Sequence, residues 1–307
     1  MILAVISRLL CLTWEALRIN EFIMAWTEEQ RSLARKRAIS RRGLRYQSDM
    51  TDQEWARVEP HIPPERGGGR HRETEMREVV NAILYIGWTG CQWAALPRDF
   101  PPKSTVHEYF LGWVADGTFD RILFILVQED REENGRDASP MLMIVDAQSV
   151  KSGPNRGGKG LMKSGYDGGK KVLGAKRHAV VDMRGNVLGV IVTAANADDR
   201  TVGAALLAVL RPLFPFVELV LGDGGYTGPN MADAVGNSGA WRFEIEKRSD
   251  AASGFKPNRR WPVERTFAFI GLCRRLARNY ERYAETAAAW FKLAMARILL
   301  RRTPIAA

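Results

Sequence analysis

The chain has 307 residues and a formal charge of +10, with 45 Lys and Arg against 35 Asp and Glu. At 46% hydrophobic and 9% aromatic residues it has the apolar material for a packed core, which argues against disorder as the main state. It lacks the run of about 18 apolar residues that a membrane span needs. The three scattered cysteines (Cys11, Cys91, Cys273) and four histidines make neither a disulfide framework nor a structural zinc module.

The excess positive charge is clustered. Between Lys151 and His178 eight Lys or Arg stand against one acid, Asp167, and between Lys256 and Arg302 twelve stand against three. Two basic segments in the second half suit a groove for a polyanion, nucleic acid first; the competing reading is a solvated surface with no partner.

In chain order, residues 1–45 stand apart as an N-terminal extension. The apolar stretch 1–14 is interrupted by Arg8 and lacks a clean small-residue cleavage site, so it does not read as a signal peptide. Residues 28–45 are highly charged and read as a basic arm or as sequence upstream of the true start, with Met24 and Met50 as alternative starts.

From 50 to 133 the pattern is helical. Thr51 is placed to cap a helix over 52–61 carrying Trp55 and Val58 on one face. Pro63, Pro64 and the glycines at 67–69 form a loop. Over 73–88, Met76, Val79, Val80, Ile83, Leu84 and Gly87 recur at three and four, an amphipathic helix that Gly90 ends. After a short turn over 92–96, Ser104 is expected to cap a helix with Val106, Tyr109, Phe110 and Trp113, and Thr118 to cap another over 119–130. Such a series is compatible with a helix-turn-helix whose 104–113 helix touches DNA, and equally with a helical domain that binds nothing.

The polar string 132–140 reads as a linker to an α/β half, 141–303. A buried strand over 141–145 runs straight into Asp146, and the Gly- and Lys-rich stretch 151–171 reads as a loop. Strands over 175–182 and 187–193 flank a turn at Met183, Gly185 and Asn186. A capped helix over 198–210, a strand over 217–221 with Asp223 just beyond its end, a loop and short helix over 226–235, a strand over 241–245 and helices over 262–276 and 284–300 complete the order.

Asp146 and Asp223 each follow a buried strand, and carboxylates at the ends of neighbouring strands face one crevice. Glu264 lies on the 262–276 helix amid arginines. Three such acids can hold two Mg²⁺, with Mn²⁺ as substitute, for in-line phosphoryl transfer, and hard oxygen ligands suit those ions. Each acid also has a structural reading: a strand-end turn for Asp146, a glycine turn for Asp223, an i,i+4 pair with Arg260 for Glu264. Asp182 reads as part of a hairpin turn, and Asp198 and Asp199 as helix-capping residues. Lys151, Lys170, Lys171, Lys176, Arg177 and His178 read as DNA-backbone contacts, or singly as solvated charges. Trp261 is either core or a surface on which an unpaired base stacks.

At these residues the chain resembles a family, the DDE transposases of bacterial insertion sequences, specifically the IS5 family within the IS4-like group. The strings that carry the resemblance are RYQSDMTDQEWARVEPHIPP from Arg45, IVDAQSVKS from Ile144, GYDGGKKVLGAKRHAVVD from Gly165, LGDGGYTG from Leu221 and RRWPVERTFAFIGLCRRLARNYER from Arg259. The resemblance implies a ribonuclease-H-like core, a mixed sheet with flanking helices, preceded by a small all-helical domain over 46–131. It also implies that Asp146, Asp223 and Glu264 are the metal-binding triad and that the substrate is double-stranded DNA at the ends of the element and at its target. A homodimer or larger assembly would hold the two ends, in the cytoplasm and on the nucleoid, with no membrane. The wider group's third-acid signature has Tyr, Arg, Glu and Lys; Arg260 matches the Arg, whereas Pro257 and Gly271 stand at the Tyr and Lys positions. Arg274 and Arg275, one turn further on, are expected to supply the missing charge, and with Arg260 to contact DNA phosphate.

Overall fold

The computed structural model of the protein describes residues 41–65, 67, 71–153, 161–236, 241–246 and 259–302; the predicted arm before residue 41 lies outside them. Thr51 caps α1 (Asp52–Val58) reciprocally: the Glu54 amide donates to its hydroxyl at 3.2 Å, and its own amide donates to the Glu54 carboxylate at 2.9 Å. The helix expected over 52–61 tightens to a 3-10 turn at Glu59–His61, where Pro60 has no amide to donate. α2 (Met76–Thr89) buries its predicted stripe of Met76, Val79, Val80, Ile83 and Leu84. It ends at Gly90, with φ of 70°, where a Cβ would lie 2.9 Å from the Arg274 Cβ. Both the conformation and the space therefore demand glycine.

α3 (Lys103–Ala115) and α4 (Thr118–Glu132) form as expected, but their starts differ. Pro102, not Ser104, holds the cap position of α3, its fixed φ preparing the first turn. Thr118 is the first residue of α4, and the cap chemistry belongs to Asp116, whose carboxylate accepts the Thr118 amide at 2.9 Å and its hydroxyl at 2.5 Å.

The second half builds one six-stranded mixed sheet from β1 (Leu142–Lys151), β2 (Gly165–Asp167), β3 (Val172–Val181), β4 (Val187–Ala194), β5 (Leu219–Gly222) and β6 (Arg242–Ile245). β3 pairs antiparallel with β1 on one edge and with β2 and β4 on the other. β5 lies parallel to β1, and β6 parallel to β5. The stretch expected as a loop from 151 to 171 thus contains β2, three residues that bond to the start of β3 and carry no periodicity long enough to read. Around the sheet lie α5 (Asp199–Leu210), α6 (Pro229–Gly236), α7 (Trp261–Gly271) and α8 (Ala284–Arg302). The helix expected over 262–276 stops at Gly271, and a separate 3-10 turn follows at Arg274–Leu276.

Residues Ser48–Thr303 form one compact unit. The helical segment and the sheet share its core, because α8 packs on α4 and α2 as well as on β4. Trp290 of α8 is fully buried and stacks on Phe110 of α3, with ring centroids 4.7 Å apart. Residues 41–47 belong to a second unit, in which the Leu44 amide donates to the Arg41 carbonyl at 3.3 Å.

A buried polar knot also joins α4 to the sheet. Arg131 donates to Asp182 at 2.6 Å, while the amides of Arg184 and Asn186 donate to the other Asp182 oxygen at 2.8 and 2.9 Å. Arg184 and Asn186 donate in turn to Asp130 at 2.8 and 2.9 Å. Asp182 therefore has the turn role expected of it. Gly185 at the tip of that turn has φ of 80°, and a Cβ there would meet the Thr266 hydroxyl of α7 at 2.5 Å.

Candidate active site

β1 and β5 run parallel, with Leu142, Met143 and Ile144 opposite Leu219, Val220 and Leu221. Asp146 and Asp223 each stand two residues beyond this pairing, so the two acids share a register at the carboxyl end of the parallel pair, where open α/β sheets form crevices. At that point β5 stops: Asp223 accepts the Gly225 amide at 2.8 Å and turns the chain into a 3-10 turn at Gly224–Tyr226. β1 does not stop, which corrects the expectation that Asp146 ends its strand. The antiparallel ladder with β3 continues to Lys151 and keeps the β1 backbone bonded on its other edge. What ends before Asp146 is the pairing with β5, and this opens a gap along one edge of β1.

Arg260 fills part of that gap. It occupies the cap position of α7 and is almost fully buried. Its Nη2 donates to Asp146 Oδ2 at 3.1 Å and lies 3.6 Å from Asp223 Oδ2. The contact expected to touch DNA phosphate is therefore the counter-ion shared by both acids. Burial pushes the Asp146 carboxyl up to about 6, and the charge of Asp223 adds to that rise. Arg260, the Ala147 amide and Lys170 oppose it. Glu264 follows Arg260 by four residues in the first turn of α7, on the same helix face, and is partly exposed. Among the described residues, no three His, Cys, Asp or Glu side chains converge in a metal-ligating group.

Tyr226 is a site residue that the sequence reading passed over. It is fully buried, and its hydroxyl has no hydrogen-bond partner among the described residues. Burial, with the charges of Asp146, Asp199 and Asp223, holds the phenol far above its ordinary value. Gly203 of α5 makes room for the ring, since a Cβ there would lie 2.7 Å from it. A bulky aromatic directly after two glycines was the available signal.

The basic residues divide sharply. Lys151, Lys170, Lys171 and Arg274 are exposed. Lys176, Arg177 and His178 are buried in β3, which corrects their reading as backbone contacts. Alternation along the strand sends Lys176 and His178 to one face and Arg177 to the other. Lys176 pairs with Asp199 at 2.9 Å, and His178 Nε2 meets the Thr193 hydroxyl at 3.0 Å. Burial lowers the His178 pKa to about 4, so it is neutral. Arg177 donates to the Leu276 carbonyl at 2.8 Å. Arg275 is likewise tied inward, to Glu281 at 2.9 Å and over the Trp290 ring at 5.3 Å. Trp261 is partly buried, with the Arg265 guanidinium 4.9 Å from its ring centre, and Arg265 donates to the Arg184 carbonyl at 2.5 Å. Asp198 caps α5 as expected, accepting the Thr201 amide at 3.0 Å, whereas Asp199 serves Lys176.

Residues 137–299, just over half of the chain, match the family described as "Transposase DDE domain", and residues 50–123 match "Putative transposase of IS4/5 family". The chain belongs to the IS4/5 family of DDE transposases. Asp146, Asp223 and Glu264 all fall within the matched DDE domain. Among individual relatives, the chain is 32% identical over 127 residues to the "Putative transposase for insertion sequence element IS402" of Burkholderia cepacia, covering 39% of this chain and 60% of that protein. It is 26% identical over 80 residues to "Uncharacterized protein y4sN" of Sinorhizobium fredii, covering 26% of this chain and 64% of that one. The matched stretch is thus less than two thirds of either relative. No solved structure matches the chain. Among the described residues of this family member, no helix is long and apolar enough to cross a membrane.

Proposed function

We propose that this family member is the transposase of an insertion sequence, with a ribonuclease-H-like catalytic core over 141–303 and a helical domain over 46–131, joined by 132–140. Its substrates are the terminal inverted repeats of its element and the target DNA, which it cuts and joins as a homodimer or larger assembly on the nucleoid. The observation that carries the reading is the pair Asp146 and Asp223, held at one register beside a gap in the sheet, inside the matched DDE domain. The antiparallel group β1, β3 and β4, with β5 and β6 added parallel on the other side of β1, supports the fold assignment.

The donor set fits divalent cations. Two hard carboxylates share one guanidinium, and desolvation, with the charge of Asp223, keeps the partly buried Asp146 reluctant to ionise, a strain that a cation relieves. Asp146 and Asp223 would hold Mg²⁺ or Mn²⁺, with Glu264 completing a two-ion set from α7. The chemistry such ions supply is activation of the attacking oxygen and stabilisation of the leaving one. The chain itself does the rest. β1 and β5 set the spacing of the acids, Arg260 orients both carboxylates, and the buried Tyr226 keeps its proton. Lys151, Lys170, Lys171 and Arg274 offer exposed charge to the DNA backbone.

The test is a cleavage and joining assay on labelled DNA taken from immediately outside the gene, with Mg²⁺, Mn²⁺ or EDTA. Metal-dependent nicking and joined product are expected, lost in Asp146→Asn and Asp223→Asn while DNA binding persists. Nicking without joining would make the protein a nuclease, and binding without nicking a repressor or a silent relic. Undiminished cleavage by Asp146→Asn would overturn the triad.

A further inference from the structure

The gap along β1 has a second wall. β3 occupies one edge of β1 as far as Lys151, so only the other edge is free beyond Asp146. The Asn279 segment closes that edge again: Ser152 and Asn279 form a parallel bridge, the Asn279 amide donates to the Lys151 carbonyl at 2.9 Å, and the Gly153 amide donates to the Asn279 carbonyl at 2.8 Å. Asn279 is buried, which fixes the segment in place. Its neighbours point outward. Tyr280 is 54% exposed and Tyr283 is 50% exposed, and Arg278 and Arg282 are exposed beside them.

Tyr280 is seated rather than loose. A Cβ at Gly153 would lie 2.9 Å from its ring, so the glycine lets the ring settle against the backbone while its remaining surface meets solvent. The Tyr283 carbonyl accepts the Thr286 hydroxyl at 3.0 Å and the Ala287 amide at 3.2 Å, which anchors it at the start of α8. Two large aromatic rings on anchored backbone each keep about half of their surface in water. Nearby arginines give them a chemical role, since aromatic rings interleaved with cations bind unpaired nucleic-acid strands.

We infer that Tyr280 and Tyr283, with Arg278 and Arg282, form a platform on which an unpaired stretch of the DNA strand stacks as it leaves the crevice. The inference rests on the DNA-substrate reading above and adds a substrate class to it: DNA with a splayed strand rather than intact duplex. From Asp146 to Ser152 the strand rises roughly 20 Å at about 3.3 Å per residue. The platform therefore stands several nucleotides along the strand from the acids. The arginines contact phosphate and the rings contact base faces, so the site is tolerant of sequence.

The experiment compares two labelled DNAs, a blunt duplex and the same duplex with a ten-nucleotide single-stranded tail carrying 2-aminopurine, by anisotropy and by base fluorescence with the full chain. The wild type is expected to bind the tailed DNA more tightly and to quench its 2-aminopurine. Tyr280→Ala with Tyr283→Ala should lower affinity for the tailed DNA about 10- to 100-fold, the loss of one or two stacked bases, and abolish quenching. Blunt-duplex affinity should stay within twofold, and Tyr280→Phe with Tyr283→Phe should restore stacking. Arg278→Gln with Arg282→Gln should weaken both DNAs and lower the salt slope by about 1 to 2. Equal loss on both DNAs in the tyrosine variant, or no loss on either, overturns the platform and leaves the DNA reading intact. Absence of salt-dependent binding of either DNA by the wild type overturns both.

Discussion

The protein holds two pairs of aspartates, and they are treated in opposite ways. Asp130 and Asp182 sit in the knot between α4 and the β3–β4 turn, where two arginines and two backbone amides meet their oxygens together with the Asn186 side chain. Burial pushes the Asp130 carboxyl up, but the bonds from Arg184 and Asn186 and the charges of Arg184 and Arg302 more than offset it, and it ends below its ordinary value. Asp146 and Asp223 share a single guanidinium, and Asp146 ends near 6. A carboxylate kept for architecture is saturated with donors from several elements. On the proposed function, Asp146 and Asp223 are instead left short of positive charge so that a ligand can supply it.

The largest expected effect comes from breaking the saturated pair. Asp182→Ala leaves the buried Arg131 uncompensated and should cost roughly 3–5 kcal/mol in urea unfolding. A loss below about 1 kcal/mol would mean that the knot does not hold the helical segment to the sheet.

A buried histidine on the sheet provides a pH axis for the same comparison. His178 has its pKa lowered in the fold to about 4. Between its folded value and the ordinary 6.5, the unfolded chain binds the extra proton, so stability falls as pH falls through that window. The loss between pH 7 and pH 5 should be roughly 2 kcal/mol, and His178→Gln should flatten it. An unchanged pH slope in that variant would assign the acid sensitivity elsewhere.

Asp146 has the opposite sign. Its carboxyl is raised in the fold, so ionisation costs native stability as pH rises from about 4 through 6. Asp146→Asn should therefore be more stable than the wild type at pH 7.5, by roughly 1–2 kcal/mol, and on the proposed function it loses cleavage. A destabilised Asp146→Asn would place Asp146 among the architectural acids. The smallest effect is local: Asp198→Ala removes the α5 cap and should cost about 1 kcal/mol in thermal unfolding, with cleavage intact.

The amphipathic helices, the buried strands and the two strand-following aspartates were legible because burial imposes period and composition on short stretches of chain. The α2 stripe and the Met143–Ile144–Val145 run are local facts. The misreadings were equally physical. Lys176, Arg177 and His178 read as a basic contact strip because charge is visible in sequence and burial is not; in the fold they are consumed by Asp199, the Leu276 carbonyl and Thr193. Ser104 and Thr118 read as caps because their type is right, yet Pro102 and Gly117 hold those positions, and Asp116 supplies the bonds to Thr118. Tyr226 carried only a weak local signal, an aromatic directly after two glycines, because nothing local separates a buried phenol from an exposed one.

The sequence by itself determined most of the element order, the family and the candidate acids, since these follow from residue type and spacing along the chain. Only the tertiary structure decided which charges face solvent, that β1 runs on past Asp146, and that Arg260 bridges two acids far apart in the chain. Those outcomes depend on which strand edge is left unpaired and which helix start arrives there, and no residue carries that information alone.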